Sequence, residues 1–195
     1  MVGDNNNERH TINNEQEGEN KRTFLFIPIM AFVIMAGLMF FGLKRDPGQM
    51  PSAMVDKPFP EFSQPGLLQP QTVFTKDDLL GKILVVNIWG SWCPPCHVEH
   101  PFLLDISEQE SDITFVGISY DYSTEEDKLF LEEKGNPFDI NVVDLDSSFR
   151  IDLGVTGAPE TFLVDSNGMI LHRHIGAIDI TVWNESFAPL IEQIR

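Results

Sequence analysis

The sequence predicts an α/β protein, a mixed central sheet flanked by helices, preceded by an N-terminal transmembrane helix. Three observations carry this. Phe24 to Leu43 is apolar and free of charge. The compact run Ile83-Leu84-Val85-Val86 has the pattern of a strand buried on both faces, and helical and strand-like segments alternate after it. Asn167-Gly168 is a hairpin turn signal between two further strand-like runs. A length of 195 residues accommodates one ordinary domain with a tail and an anchor.

Residues 1–22 are rich in Asn and Glu and poor in apolar side chains, so they are expected to form a disordered cytoplasmic tail. Residues 23–44 are expected to be the anchor: at about 1.5 Å per residue the uncharged run covers about 30 Å, the thickness of a bilayer's hydrocarbon core. It is too long for an ordinary signal-peptide core, and no small-x-small cleavage site follows Leu43. Lys21-Arg22 and Lys44-Arg45 flank it evenly and leave its orientation open. Residues 45–56, with Pro47, Gly48, Pro51 and Ser52, read as a linker, and residues 57–195 as the folded domain.

Within that domain the expected order is a strand over Lys82–Trp89, a helix over Pro94–Ser107 and a strand over Ile113–Ser119. A helix over Thr124–Lys134 follows, whose acidic opening suits the positive end of its dipole. Then come a short strand Ile140–Val143, a helical turn Phe149–Leu153, the hairpin Thr161–Asp165 and Met169–Ile175, and a closing helix Ile180–Ile194. The formal charge of -17 falls almost wholly after Asp46, because acidic and basic residues balance before it. Such an acidic body argues against nucleic acid as a partner.

The only two cysteines, Cys93 and Cys96, are three positions apart, so they cannot staple distant segments and read as redox chemistry or as a ligand site. They lie where a buried strand turns into a helix. A cysteine at a helix N-terminus meets unpaired N–H groups and the positive dipole end, which favours the nucleophilic thiolate, the role assigned to Cys93. Cys96, about one turn on, is placed to resolve a mixed disulfide. Pro94 and Pro95 fit the first helical turn, and Trp92 offers an apolar lip beside Cys93.

Lys82 to Pro101, with Trp-Cys-Pro-Pro-Cys followed by Val98-Glu99-His100-Pro101, resembles the thioredoxin superfamily. Gly154-Val155-Thr156-Gly157-Ala158-Pro159-Glu160-Thr161-Phe162-Leu163-Val164-Asp165 resembles its cytochrome c maturation branch, the CcmG/DsbE family, and the likeness extends over residues 57–195. It implies a thioredoxin-like fold, a redox-active Cys93–Cys96 disulfide, a cis bond before Pro159 opposite that disulfide, and Glu99 and Glu160 in an acidic patch beside the cysteines. It implies a protein thiol:disulfide oxidoreductase in the bacterial inner membrane, single-pass, its C-terminal domain periplasmic. Such a protein reduces the cysteines of apocytochrome c, or of a haem-ligation partner protein, is recharged by a membrane thiol-transfer reductase, and needs no cofactor or metal. The family's inserted segment corresponds to Asp121–Ser148, for docking or for packing.

One departure from general thioredoxins stands out. Their buried strand carries an aspartate where this chain has Asn87, which cannot titrate. Either Glu99 or Glu160 handles the proton through water, or the resolving step is slower and more partner-dependent. Other readings remain. Cys93 to His97 also matches a c-type haem attachment motif, with Met169 or His172 as an axial ligand. Cys93, Cys96, His97 and His100 offer zinc-type donors at crowded spacing, although the two histidines suit a surface better. A general periplasmic disulfide reductase and a non-catalytic adaptor complete the set.

Overall fold

The computed structural model describes residues 27–40, 54–120 and 123–195. The expected tail, most of the linker and both ends of the expected span lie outside the described residues. Two compact units are present, residues 1–49 and 50–195. In the first, residues 27–40 form helix α1, whose large apolar side chains, Phe32, Leu38 and Phe40 among them, are exposed. Among the described residues no helix is long and apolar enough to cross a membrane.

The second unit is built on a five-stranded sheet. Its strands are β3 (Ile83–Trp89), β4 (Ile113–Ser119), β5 (Ile140–Val143), β6 (Glu160–Val164) and β7 (Ile170–Ile175), in the order β5-β4-β3-β6-β7. Strand β3 is central. It pairs parallel with β4, which pairs parallel with β5, and antiparallel with β6, which forms the antiparallel hairpin with β7. The hairpin turns at Gly168, whose φ of +80° suits a residue without Cβ.

Helices α2 (Pro94–Gln109), α3 (Thr124–Lys134) and α4 (Ser148–Asp152) follow β3, β4 and β5. The chain closes through α5 (Ile180–Val182), a π-helical turn Trp183–Phe187 and α6 (Ala188–Ile194). Alternation along the strands sends Val85, Trp89, Phe115 and Leu163 into one core with Leu103 and Ile106 of α2 and with Trp183 and Phe187. Leu84, Val86, Ile88, Val116, Phe162 and Val164 pack on the other face with Phe59 and Phe149.

A two-stranded ribbon, β1 (Ser63–Pro65) with β2 (Val73–Thr75), was not legible in the sequence. Such short strands carry no measurable period. It leads the chain along both borders of the main sheet. Asp56 and Phe59 donate to Ile170 and Gly168 beside β7, and the Leu67 amide donates to the Asn141 carbonyl of β5. Borders covered in this way are shielded from pairing with another chain. The segment read as an insertion supplies α3 and β5, so part of it is sheet and core.

Candidate active site

Cys93 caps α2 and Cys96 lies in its first turn, and their sulfurs form a disulfide with Cα atoms 5.3 Å apart. The Cys93 sulfur accepts the Cys96 amide at 3.3 Å, so it occupies the position of an N-cap acceptor at the positive end of the helix. Both cysteines are almost fully covered, at 1% and 3% exposure. Trp92, at 52% exposure, stands beside them. Its ring lies where a Cβ on Gly90 would come to 2.5 Å, and it meets Tyr120 edge-on at 5.5 Å, with the Arg150 guanidinium 4.4 Å from the Tyr120 ring. The Trp92 side chain is therefore presented in a defined orientation next to the disulfide.

The Ala158–Pro159 bond is cis, Pro159 is buried, and Ala158 packs against the core cluster that contains both cysteines. Glu160 follows at the start of β6. Its Oε1 accepts the Thr156 amide at 2.6 Å, the Thr156 hydroxyl at 2.7 Å and the Gly157 amide at 3.1 Å, which fixes the turn leading to Pro159. Its Oε2 pairs with Arg173 at 2.6 Å, and Arg173 also donates to the Gly154 carbonyl.

The expectation of one acidic patch is corrected. Thr161 is paired with Asn87 in the β3–β6 ladder and faces the α2 side with it, so its neighbour Glu160 points to the opposite side of the sheet. Glu99 is on the α2 side and 1% exposed, on the inward stripe Cys96, Glu99, His100, Leu103, Ile106. Glu99 Oε1 accepts from Asn87 Nδ2 at 2.9 Å and Oε2 from the Ile178 amide at 2.9 Å. Burial outweighs these two bonds and pushes its carboxyl up to about 7. Each glutamate therefore sits in its own buried network, Glu160 holding a turn and Glu99 lying one helical turn from Cys96.

The same stripe corrects the surface reading of His100, which is buried against the Phe130 ring. Its Nε2 donates to the Gly135 carbonyl at 3.0 Å, and burial holds the imidazole below its ordinary pKa. His97 is exposed and donates from Nε2 to the Ser91 carbonyl at 2.6 Å. Both rings thus spend a nitrogen on a backbone carbonyl, both sulfurs are in the disulfide, and among the described residues no group of three or more His, Cys, Asp or Glu is arranged to hold a metal ion. Asp127 is a further correction. It was read only as part of an acidic helix opening that suits the dipole, yet it is fully buried, accepting the Ser91 amide at 2.7 Å and the Ser119 hydroxyl. Its signal was in the sequence: Asp127, Phe130 and Leu131 share one helical phase.

A dithiol reached through the N-terminus of a helix, beside a cis X-Pro turn and backed by a buried carboxylate, can exchange electrons with another disulfide. Comparison with known proteins agrees. Residues 54–187 match the Redoxin family. The chain is 42% identical to the thiol:disulfide interchange protein DsbE of Pseudomonas aeruginosa, over 89% of this chain and 96% of that protein. It is 38% identical to the protein of that name from Escherichia coli K12, with the same shares covered. Among solved structures, a DsbE-type thiol:disulfide interchange protein from Chlorobium tepidum superposes with a TM-score of 0.64 at 25% identity, covering 73% of this chain and 99% of that one. A secreted Mycobacterium tuberculosis disulfide oxidoreductase homologous to E. coli DsbE gives 0.51 at 26% identity, covering 56% and 79%.

Proposed function

The chain belongs to the Redoxin family and stands among the DsbE thiol:disulfide interchange proteins, and from this premise we propose that its oxidoreductase site works as a periplasmic reductant in cytochrome c maturation. The Cys93 thiolate of the reduced protein attacks a disulfide of the partner, forming a mixed disulfide and releasing one partner thiol. Cys96 then attacks Cys93 Sγ, releasing the second thiol and leaving the Cys93–Cys96 disulfide. The partner gains two electrons and two protons, and this protein loses them. No cofactor takes part.

The observation that carries the reducing direction is Glu99, buried behind Cys96 one helical turn away. In its anionic form, reached as pH rises through about 7, this carboxylate opposes the accumulation of thiolate, which raises the free energy of the reduced pair relative to the disulfide. Trp92 and the Thr156–Pro159 turn frame the surface on which a partner polypeptide docks. The partner is apocytochrome c or a haem-ligation protein carrying its cysteines, and a membrane thiol-transfer reductase recharges the site. The anchor over residues 23–44 holds the domain to the inner membrane, supported by the uncharged run Phe24–Leu43 and the exposed apolar helix within it.

The test is capture. Full-length Cys96→Ser, reduced and incubated with an oxidised apocytochrome c peptide containing Cys-x-x-Cys-His, accumulates a mixed disulfide through Cys93. Failure to capture it, with efficient capture of unrelated oxidised polypeptides, assigns the protein instead to general disulfide reduction.

A further inference from the structure

The turn that carries the nucleophile is held from outside the dithiol. Gly90 to Cys93 is closed by the Cys93 amide donating to the Gly90 carbonyl at 3.1 Å. Within it Ser91 is gripped on both sides: its carbonyl accepts from His97, and its amide donates to Asp127 Oδ1 at 2.7 Å. Asp127 reaches in from α3, on the inward stripe with Phe130 and Leu131, and its Oδ2 takes the hydroxyl of Ser119 at the end of β4. We propose that Asp127 is a positioning residue of the redox site: it fixes the turn ahead of Cys93 through Ser91, and its charge behind that turn makes the Cys93–Cys96 couple more reducing. The inference rests on reading the pair as an exchanging couple.

Placing a carboxylate on an apolar helical stripe is expensive unless its oxygens are filled by donors, and the Ser91 amide and the Ser119 hydroxyl are two of them. An asparagine oxygen would hold the Ser91 amide equally well, so what the aspartate adds is charge. Ser91 precedes Cys93 by two residues, at most about 7 Å of chain, a range over which charges inside a protein interact appreciably. When a dithiol reduces the site, the Cys93–Cys96 bond breaks, two electrons and two protons pass in, and the donor closes its own disulfide. The Asp127 charge raises the free energy of a Cys93 thiolate and leaves the disulfide nearly untouched. Among the described residues the other ionisable groups around the pair include His97 through Ser91, Glu99 and His100 on the stripe with Cys96, and Glu160 with Arg173 behind the Pro159 turn. All of them remain in an Asp127→Asn variant.

The experiment equilibrates the full-length protein with a dithiol buffer at a pH where Cys93 is largely thiolate, and compares Asp127→Asn and Ser119→Ala with the parent. Asp127→Asn shifts the equilibrium constant toward easier reduction by about tenfold, some 30 mV, and lowers the Cys93 pKa read from thiolate absorbance. Ser119→Ala moves the couple the other way, by about twofold, because the carboxylate loses a donor that shares its charge. An unchanged potential in folded Asp127→Asn overturns the proposal. Where Asp127→Asn does not fold, an unchanged or raised potential in Ser119→Ala does so. A parent protein with no reversible couple sinks the exchange reading itself, which separates the two failures.

Discussion

Asn87 donates its amide to the Glu99 carboxylate at 2.9 Å and to the Thr161 hydroxyl at 3.0 Å, while its own carbonyl oxygen is buried without a hydrogen-bond partner. The position that carries an aspartate in general thioredoxins is thus a neutral relay to a carboxyl group held in the adjacent helix.

Glu99 predicts a pH-dependent stability. Its folded pKa is raised to about 7 by burial, so the fold favours the neutral acid. That stabilisation is present below the ordinary carboxylate range and is lost as pH rises to about 7. Glu99→Gln removes the ionisation, and rotation of the Asn87 amide supplies an acceptor for the new donor. The variant is expected to be more stable than the parent by about 2 kcal/mol near pH ~8 and equal to it near pH ~5. Denaturant unfolding at both pH values checks this. A stability gap that does not change with pH would falsify it.

Arg173 and Glu160 form a buried ion pair, at 8% and 0% side-chain exposure. Removing one partner leaves the other charge uncompensated, so Arg173→Met is expected to destabilise the protein by about 3 kcal/mol. Adding Glu160→Gln to that variant recovers part of the loss, because the new side chain still accepts the Thr156 and Gly157 amides through its oxygen. Thermal melts of the single and double variants measure the coupling. Additive losses contradict the pairing.

Trp92 is half-exposed and held by Tyr120, which suits it to the docking surface proposed above more than to the core. Trp92→Ala is expected to lower kcat/KM toward an oxidised protein substrate by about tenfold, the ~1.4 kcal/mol scale of one apolar contact. The reduction potential and the melting temperature stay close to those of the parent. Stopped-flow exchange with a protein and with a small disulfide separates the effects. Equal losses on both substrates point to damage at the dithiol.

Much of the architecture was legible because its periods are local. Strand β4 and helix α3 begin and end where the sequence pattern places them, at Ile113–Ser119 and Thr124–Lys134, and the Cys-x-x-Cys turn falls between β3 and α2 as read. What sequence reasoning missed depends on register and on helical phase. The pairing of Asn87 with Thr161 sends Glu160 to the far side of the sheet, and nothing local to Pro159-Glu160-Thr161 announces that register. Glu99, His100 and Asp127 are polar residues on buried stripes, and reading by residue type placed His100 on the surface and gave Asp127 only a role at the helix dipole. Their phase with Leu103, Ile106, Phe130 and Leu131 was the better guide.

The most direct test of the account is the reduction potential of the Cys93–Cys96 couple in the full-length protein, equilibrated against a dithiol buffer with visible absorbance recorded on the same sample. A reversible two-electron couple well on the reducing side of glutathione is expected, with no haem Soret band. A strongly oxidising couple would make the protein a disulfide donor, and the absence of any reversible couple would contradict exchange chemistry at this site.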